Sequence, residues 1–362
     1  MYNSISVVSF VRVLSGLTVF ILLFPYVNTG SFSDIQLHYV FFAIFLWILN
    51  KAVIVNPVAT ILFAFLFFTY SAIISLDFNL VYPMVGFLLN FVLLARINYG
   101  KYFKYLMFGF LVYLFIGFIQ YFYDREFAGG LVYRNTEAIL NHIDSGRGVR
   151  SLTPEPSDFA AIIFFFNIVI VNLAKISDYN KALISIFLLF ASFLAAGSLY
   201  TFVFHFLGIL IYLIINAFYT TLFLLFAFFY TAISLLGSRI VILLNSVVND
   251  HSYILSQGAF QKAINFIQNI RYSIHQIGIG SVDVDYPAYT YGGLSYLIGT
   301  YSFLGLIYII YLFFRFLPSG KPFEILILYL SYFLFVLNAG SLLNPLWIIV
   351  FSTFVIRSRR YE

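Results

Sequence analysis

Long apolar runs, broken at short intervals by charge, glycine or proline, fill this chain from end to end. A helical run of about 20 apolar residues matches the thickness of a bilayer. By that criterion the pattern predicts about twelve helical spans. They fall over 5–24, 36–50, 58–76, 79–95, 103–123, 157–173, 182–196, 198–215, 218–236, 292–314, 323–338 and 343–356. The first run has no small-residue cleavage site, and further spans follow, so it reads as a retained helix and not a removed signal peptide. No repeat of about 20–50 residues is detectable. The expected fold class is all-α, a single polytopic integral membrane domain over 1–362.

Composition points the same way. The 362 residues are 62% hydrophobic, and only 9% are Asp, Glu, Lys or Arg. A soluble domain has about 25% charged residues, so this chain lacks the polar groups to cover a soluble surface. It has no cysteine, which excludes disulfides and thiolate metal sites. The net charge of +5 comes without a Lys/Arg-rich run, so it reads as membrane orientation and lipid phosphate contact, with no nucleic acid partner.

The cations set the orientation. Counting connections in order, the even-numbered ones hold Lys51; Arg96, Lys101 and Lys104; Lys175 and Lys181; Arg315 and Lys321. The C-terminal tail adds Arg357, Arg359 and Arg360. The short odd-numbered connections hold no Lys or Arg and offer Asp34 and Asp77. The positive-inside rule then places both termini in the cytoplasm. It places two long connections, 124–156 and 237–291, on the outer face. Connections of that length in a compact protein are usually functional or disordered. The second contains HSYILSQGAFQKAINFIQNI (251–270), whose Ile254, Phe260, Ile264 and Ile267 recur at near-helical spacing and predict one or two helices lying on the membrane surface.

Most of the remaining charge sits in those two loops. The first ends in GRGVRSLTPEPSDFA (146–160). Pro156 suits a first helical turn, Ser157 can cap, and Glu155 and Asp158 favour the positive end of the helix dipole. A capped helix entry explains the acids and prolines but not Arg147 and Arg150, because cations are disfavoured at that end. Two guanidinium forks beside free backbone N–H groups suit a pyrophosphate. The second loop carries Arg239, Asp250, His251, Lys262 and then RYSIHQIGIGS (271–281). Arg271 and His275 are four apart and share a helix face, and Gly278 and Gly280 let backbone approach a ligand. Each also has a plain reading: His275 as an ordinary loop histidine, the glycines as a turn between helices. Inside the spans, Arg12 lies near enough to the inner end to snorkel, and His205 needs either a site or one hydrogen-bond partner. There is no GxxxxGK[ST], no GxGxxG after a strand and no HExxH, so nucleotide-driven transport and a metal site find no motif.

The segment RSLTPEPSDFA (150–160) resembles the "R…S…EPS" stretch that precedes a membrane helix in bacterial O-antigen and capsule polymerases of the Wzy type. AGSLYT (196–201), Gly278–Ile279–Gly280 and SFLGL (302–306) follow in the order that family uses. The resemblance covers most of the chain as topology and 147–305 as loose motifs. The related O-antigen ligases usually carry a His-Asn pair before the last glycine-bearing helix; here Tyr289, Thr290 and Tyr291 stand instead, which favours polymerase over ligase. The resemblance implies a GT-C-like fold in the bacterial inner membrane. It implies metal-independent, cofactor-free glycosyl transfer between undecaprenyl-pyrophosphate-linked repeat units at the periplasmic face. Membrane lipid and a chain-length regulator are the further partners. Arg147, Arg150, Arg271 and Arg239, with Gly278 and Gly280, are then the candidate pyrophosphate and substrate groups. Glu155 is the candidate base, and it can equally orient an arginine or cap the helix; His275 is the alternative base. A lipid-linked oligosaccharide flippase or other transporter, which places polar sites at midplane, and an envelope scaffold are the competing readings.

Overall fold

Phenylalanine and isoleucine lower intrinsic helix propensity, so the long apolar runs are helical because a helix satisfies every backbone hydrogen bond within its own segment. The computed structural model describes residues 2–29, 38–50, 89–132, 148–192, 205–208, 210, 223, 226, 230, 295–318, 323–338 and 344–358. Among them the elements are α1 (Tyr2–Leu22), α2 (His38–Asn50), α3 (Phe103–Phe122), α4 (Pro156–Leu173), α5 (Asp178–Ala191), α6 (Ser295–Phe316), α7 (Phe323–Asn338) and α8 (Leu346–Ser358). Short 3₁₀ turns cover Tyr99–Tyr102 and Gly129–Leu131. The described residues form no strand; one isolated antiparallel bridge joins Val27 to Val132. The protein is all-α to that extent. The 237–291 connection and the spans expected over 58–76, 79–95, 198–215 and 218–236 lie wholly or mostly outside the described residues.

Local chemistry sets the helix ends. Pro156 occupies the first position of α4, where its missing N–H costs nothing. The cap residue is therefore Glu155, in extended conformation, and Ser157 is already inside the helix. Ser157 does not cap, contrary to the sequence expectation; its hydroxyl donates to the Glu155 carboxylate at 3.2 Å. The span expected at 182–196 begins at Asp178, because the Ser177 hydroxyl accepts from the Asn180 N–H at 3.3 Å and caps it one turn earlier.

α4 is the axis of the bundle. It packs against α3, α5 and α8, and every residue from Ile162 to Leu173 is buried. A helix that is apolar all round belongs in such a position. Its two asparagines find partners: Asn172 Nδ2 donates to Thr353 Oγ1 on α8 at 2.9 Å, and Asn167 Oδ1 accepts from Ser185 on α5 at 2.6 Å. Gly117 lets α3 approach closely, since a Cβ there would run into the Phe159 ring of α4.

The outward faces are apolar too. Phe10 of α1 is 66% exposed, Phe41 of α2 74%, Phe115 of α3 66% and Phe314 of α6 65%. Two segments, Tyr99–Phe122 with 24 residues and Pro156–Leu173 with 18, are long and apolar enough to cross a membrane. Shorter apolar helices accompany them. Such a surface is compatible with a lipid surround.

Candidate functional site

The polar stretch that precedes α4 folds into a strap over the far end of α3. Its central residue is Ser151, which adopts a left-handed conformation at φ 53°. A non-glycine residue there costs about 1–3 kcal/mol and persists only where its surroundings fix it. Three hydrogen bonds do so. The Ser151 N–H donates to Gln120 Oε1 at 2.7 Å. Gln120 Nε2 donates to the Ser151 carbonyl at 3.2 Å and to the Phe127 carbonyl at 2.8 Å. The Ser151 hydroxyl donates to the Tyr113 carbonyl at 2.6 Å. Tyr113 in turn donates its phenolic O–H to the Leu23 carbonyl at the end of α1, at 2.7 Å. The strap, α3 and α1 are thus joined by one buried polar chain.

Arg150 is part of this clasp. Its side chain is held among buried groups, with the residue only 7% exposed. Nη2 donates to the Gly129 carbonyl at 2.9 Å, and a Cβ on Gly129 would stand 3.0 Å from that same nitrogen. Gly129 belongs to the turn that follows Ala128, itself left-handed at φ 57°. The Asn28 N–H donates to the Leu131 carbonyl at 2.7 Å, so the turn is also tied to the end of α1. On the C-terminal side, the Thr153 hydroxyl lies 2.6 Å from the Arg150 carbonyl and 2.8 Å from the Glu155 carbonyl. Glu155 is half-buried, with its carboxylate at the N-terminus of α4 and Asp158 in the first turn.

Of the residues singled out in the sequence, the structure brings Arg150 and Glu155 into one strap, eight residues long over 148–155. Arg147, Arg239, Arg271, His275, Gly278 and Gly280 lie outside the described residues. His205 is fully buried elsewhere, with its ring 5.1 Å from that of Phe164. Phe164 is nine residues into α4 from Glu155, about 13 Å along the helix axis, so His205 is not part of the strap. Neither of its ring nitrogens has a hydrogen-bond partner among the described residues. No group of three His, Asp or Glu side chains able to hold a metal occurs among the described residues.

Sequence reasoning passed over Gln120, Tyr113 and Gly129. A signal existed for Gln120. It is the single amide in the run FKYLMFGFLVYLFIGFIQYF, and a lone amide among apolar residues at a helix end needs a buried partner. The sequence held nothing to say that the partner is Ser151.

What the arrangement offers chemically is a rigid corner: a buried guanidinium held by the Gly129 carbonyl, a half-buried carboxylate and the N-terminus of an 18-residue helix, grouped along one short strap. Comparison with family models, curated proteins and solved structures finds no match for the chain.

Proposed function

We propose that this protein is a polysaccharide polymerase of the bacterial inner membrane. It would have about twelve spans by the ~20-residue criterion, a GT-C-like arrangement and both termini in the cytoplasm. It joins undecaprenyl-pyrophosphate-linked oligosaccharide repeat units at the periplasmic face. The observation that carries the reading is the strap: the segment that resembles the polymerase motif is the one held in strained geometry by Gln120, Tyr113 and Gly129.

In this reaction a sugar hydroxyl attacks the anomeric carbon of the donor. The new C–O bond forms as the bond to the lipid pyrophosphate breaks, and the proton of the hydroxyl passes to a base. The leaving group is already activated, so neither nucleotide nor metal is required. Arg147, Arg150 and Arg271 receive the developing pyrophosphate charge. A guanidinium whose orientation is set in advance, as Arg150 is by Gly129, stabilises that charge without reorganising. Glu155 accepts the proton or orients an arginine, and His275 is the alternative base. A base contributes about 10²–10⁴-fold.

Deleting the protein should leave lipopolysaccharide core capped with a single repeat unit on a gel. Polymer retained on the lipid carrier with none on core would indicate a ligase, and units held on the cytoplasmic side a flippase. The topology is checked separately, and the cysteine-free chain makes labelling clean. Gly130 is exposed with open space around it, and Lys104 is exposed at the start of α3. In spheroplasts, Gly130→Cys should react with an impermeant maleimide, and Lys104→Cys should react only after permeabilisation.

A further inference from the structure

At the opposite end of α3 and α4 from the strap lies a cavity of about 640 Å³. Five cations border it: Arg12 of α1, Arg96 before and Lys101 within the turn that leads into α3, Lys175 just after α4, and Arg315 in the last turn of α6. No Asp or Glu is among its lining residues. Ile97, Phe316, Val355 and Ile356 supply an apolar side, and Ser352 of α8 turns its hydroxyl back to the Ile348 carbonyl at 2.7 Å.

Two simpler explanations account for part of this. The positive-inside rule explains why cations gather at one end of a membrane bundle. Helix dipoles explain why they follow the C-terminal ends of α4 and α6. Neither explains convergence. Cations serving only those purposes would turn outward and apart, or donate to the last carbonyls. Here the five side chains, four of them exposed and Arg315 half-buried, border one concave space, and the ion pair formed among the described residues uses none of them. The ion pair that is present nearby in sequence, Lys181 to Asp178 at 2.9 Å, uses a different lysine. Five like charges around one cavity repel one another, water only partly screens the four that are exposed, and an anion between them relieves that repulsion.

We infer that this cavity binds a phosphate-bearing anion. Three arginine forks match phosphate oxygens, and the lysines add compact charge. The volume falls within the range of about 300–1,000 Å³ for ligand sites and exceeds what one inorganic phosphate fills. The apolar side suits the glycerol and upper acyl region of an anionic phospholipid. The inference stands apart from the polymerase reading, because it concerns the other end of the bundle and needs none of the strap residues.

The test uses the full chain purified in neutral detergent, with its thermal unfolding midpoint as readout. Phosphatidylglycerol added to the micelles should raise the midpoint in a saturable, salt-sensitive way, while phosphatidylcholine should not. Inorganic pyrophosphate in place of lipid identifies the source: stabilisation by it alone, or competition with phosphatidylglycerol, assigns the site to free phosphate anions, and its failure beside a lipid effect assigns the site to headgroups. The double variant Arg96→Gln/Arg315→Gln should weaken the apparent affinity about tenfold or more, at roughly one cation's worth of lipid attraction per residue. If that variant does not fold, Lys101→Gln/Lys175→Gln, at two exposed positions, serves in its place. Equal response to phosphatidylglycerol and phosphatidylcholine overturns the inference. So does an unchanged affinity in the glutamine variants, and so does indifference to both phosphatidylglycerol and pyrophosphate.

Discussion

Gln120→Ala should lower stability by about 2–6 kcal/mol, because it leaves the Ser151 N–H and the Ser151 carbonyl buried without their partner, at about 1–3 kcal/mol each, and also frees the part-buried Phe127 carbonyl. The amide is fully buried and serves all three groups. The strap would then lose what holds Ser151 at φ 53°, and its backbone would relax out of the left-handed region. If the proposed polymerase reading holds, polymer should disappear along with the strap geometry, even at normal protein level. Thermal unfolding in detergent gives the stability change, and a lipopolysaccharide gel gives the functional one. Ser151→Ala is the comparison, since it removes only the hydroxyl bond to Tyr113 and should cost about 1 kcal/mol. A Gln120→Ala protein as stable as Ser151→Ala would show that the amide does not secure the strap.

On the proposed polymerase reading, Arg150→Ala should reduce polymer by about 10²-fold or more, the scale of losing one preorganised group that stabilises developing charge. Arg150 also holds Gly129, so alanine alone confounds anchoring with catalysis. Arg150→Lys separates them. An ammonium can still donate to the Gly129 carbonyl, but it lacks the bidentate fork. The expected result is a lysine variant with near-normal unfolding temperature whose polymer remains strongly reduced. Full polymer in the lysine variant would make Arg150 a structural anchor only. If Arg150→Ala and Arg271→Ala both leave polymer length and yield unchanged at normal protein level, the site assignment is wrong.

Both predictions depend on contacts that differ in how far the sequence could reveal them. The helices themselves were legible. The apolar run expected over 103–123 is α3 at Phe103–Phe122, and that expected over 323–338 is α7 with the same bounds. Their ends follow from neighbours a few residues away. Where such a local rule failed, at Ser157, another local rule had prevailed: Pro156 took the first helical position and moved the cap back to Glu155. The oddity of RSLTPEPSDFA was legible too, as charge and proline out of place in an apolar chain. Its mechanism was not. Arg150 was expected to reach for an anion, and the structure gives one of its nitrogens to the carbonyl of Gly129, 21 residues earlier.

The sequence by itself determined that the described part of this chain is helical, where most of those helices lie and which residues are too polar for their surroundings. These properties depend on hydrophobic runs and caps spanning a turn or two. Only the tertiary structure decided which of those polar residues meet. Gln120 finds Ser151 across 31 positions, and Asn344 donates to the Tyr26 hydroxyl at 2.8 Å across 318. Cations from separate connections converge on one cavity. Apolar periodicity shows that a helix is buried but not against which neighbour. In an interior this apolar, a few hydrogen bonds choose among the packings that the greasy faces alone would allow.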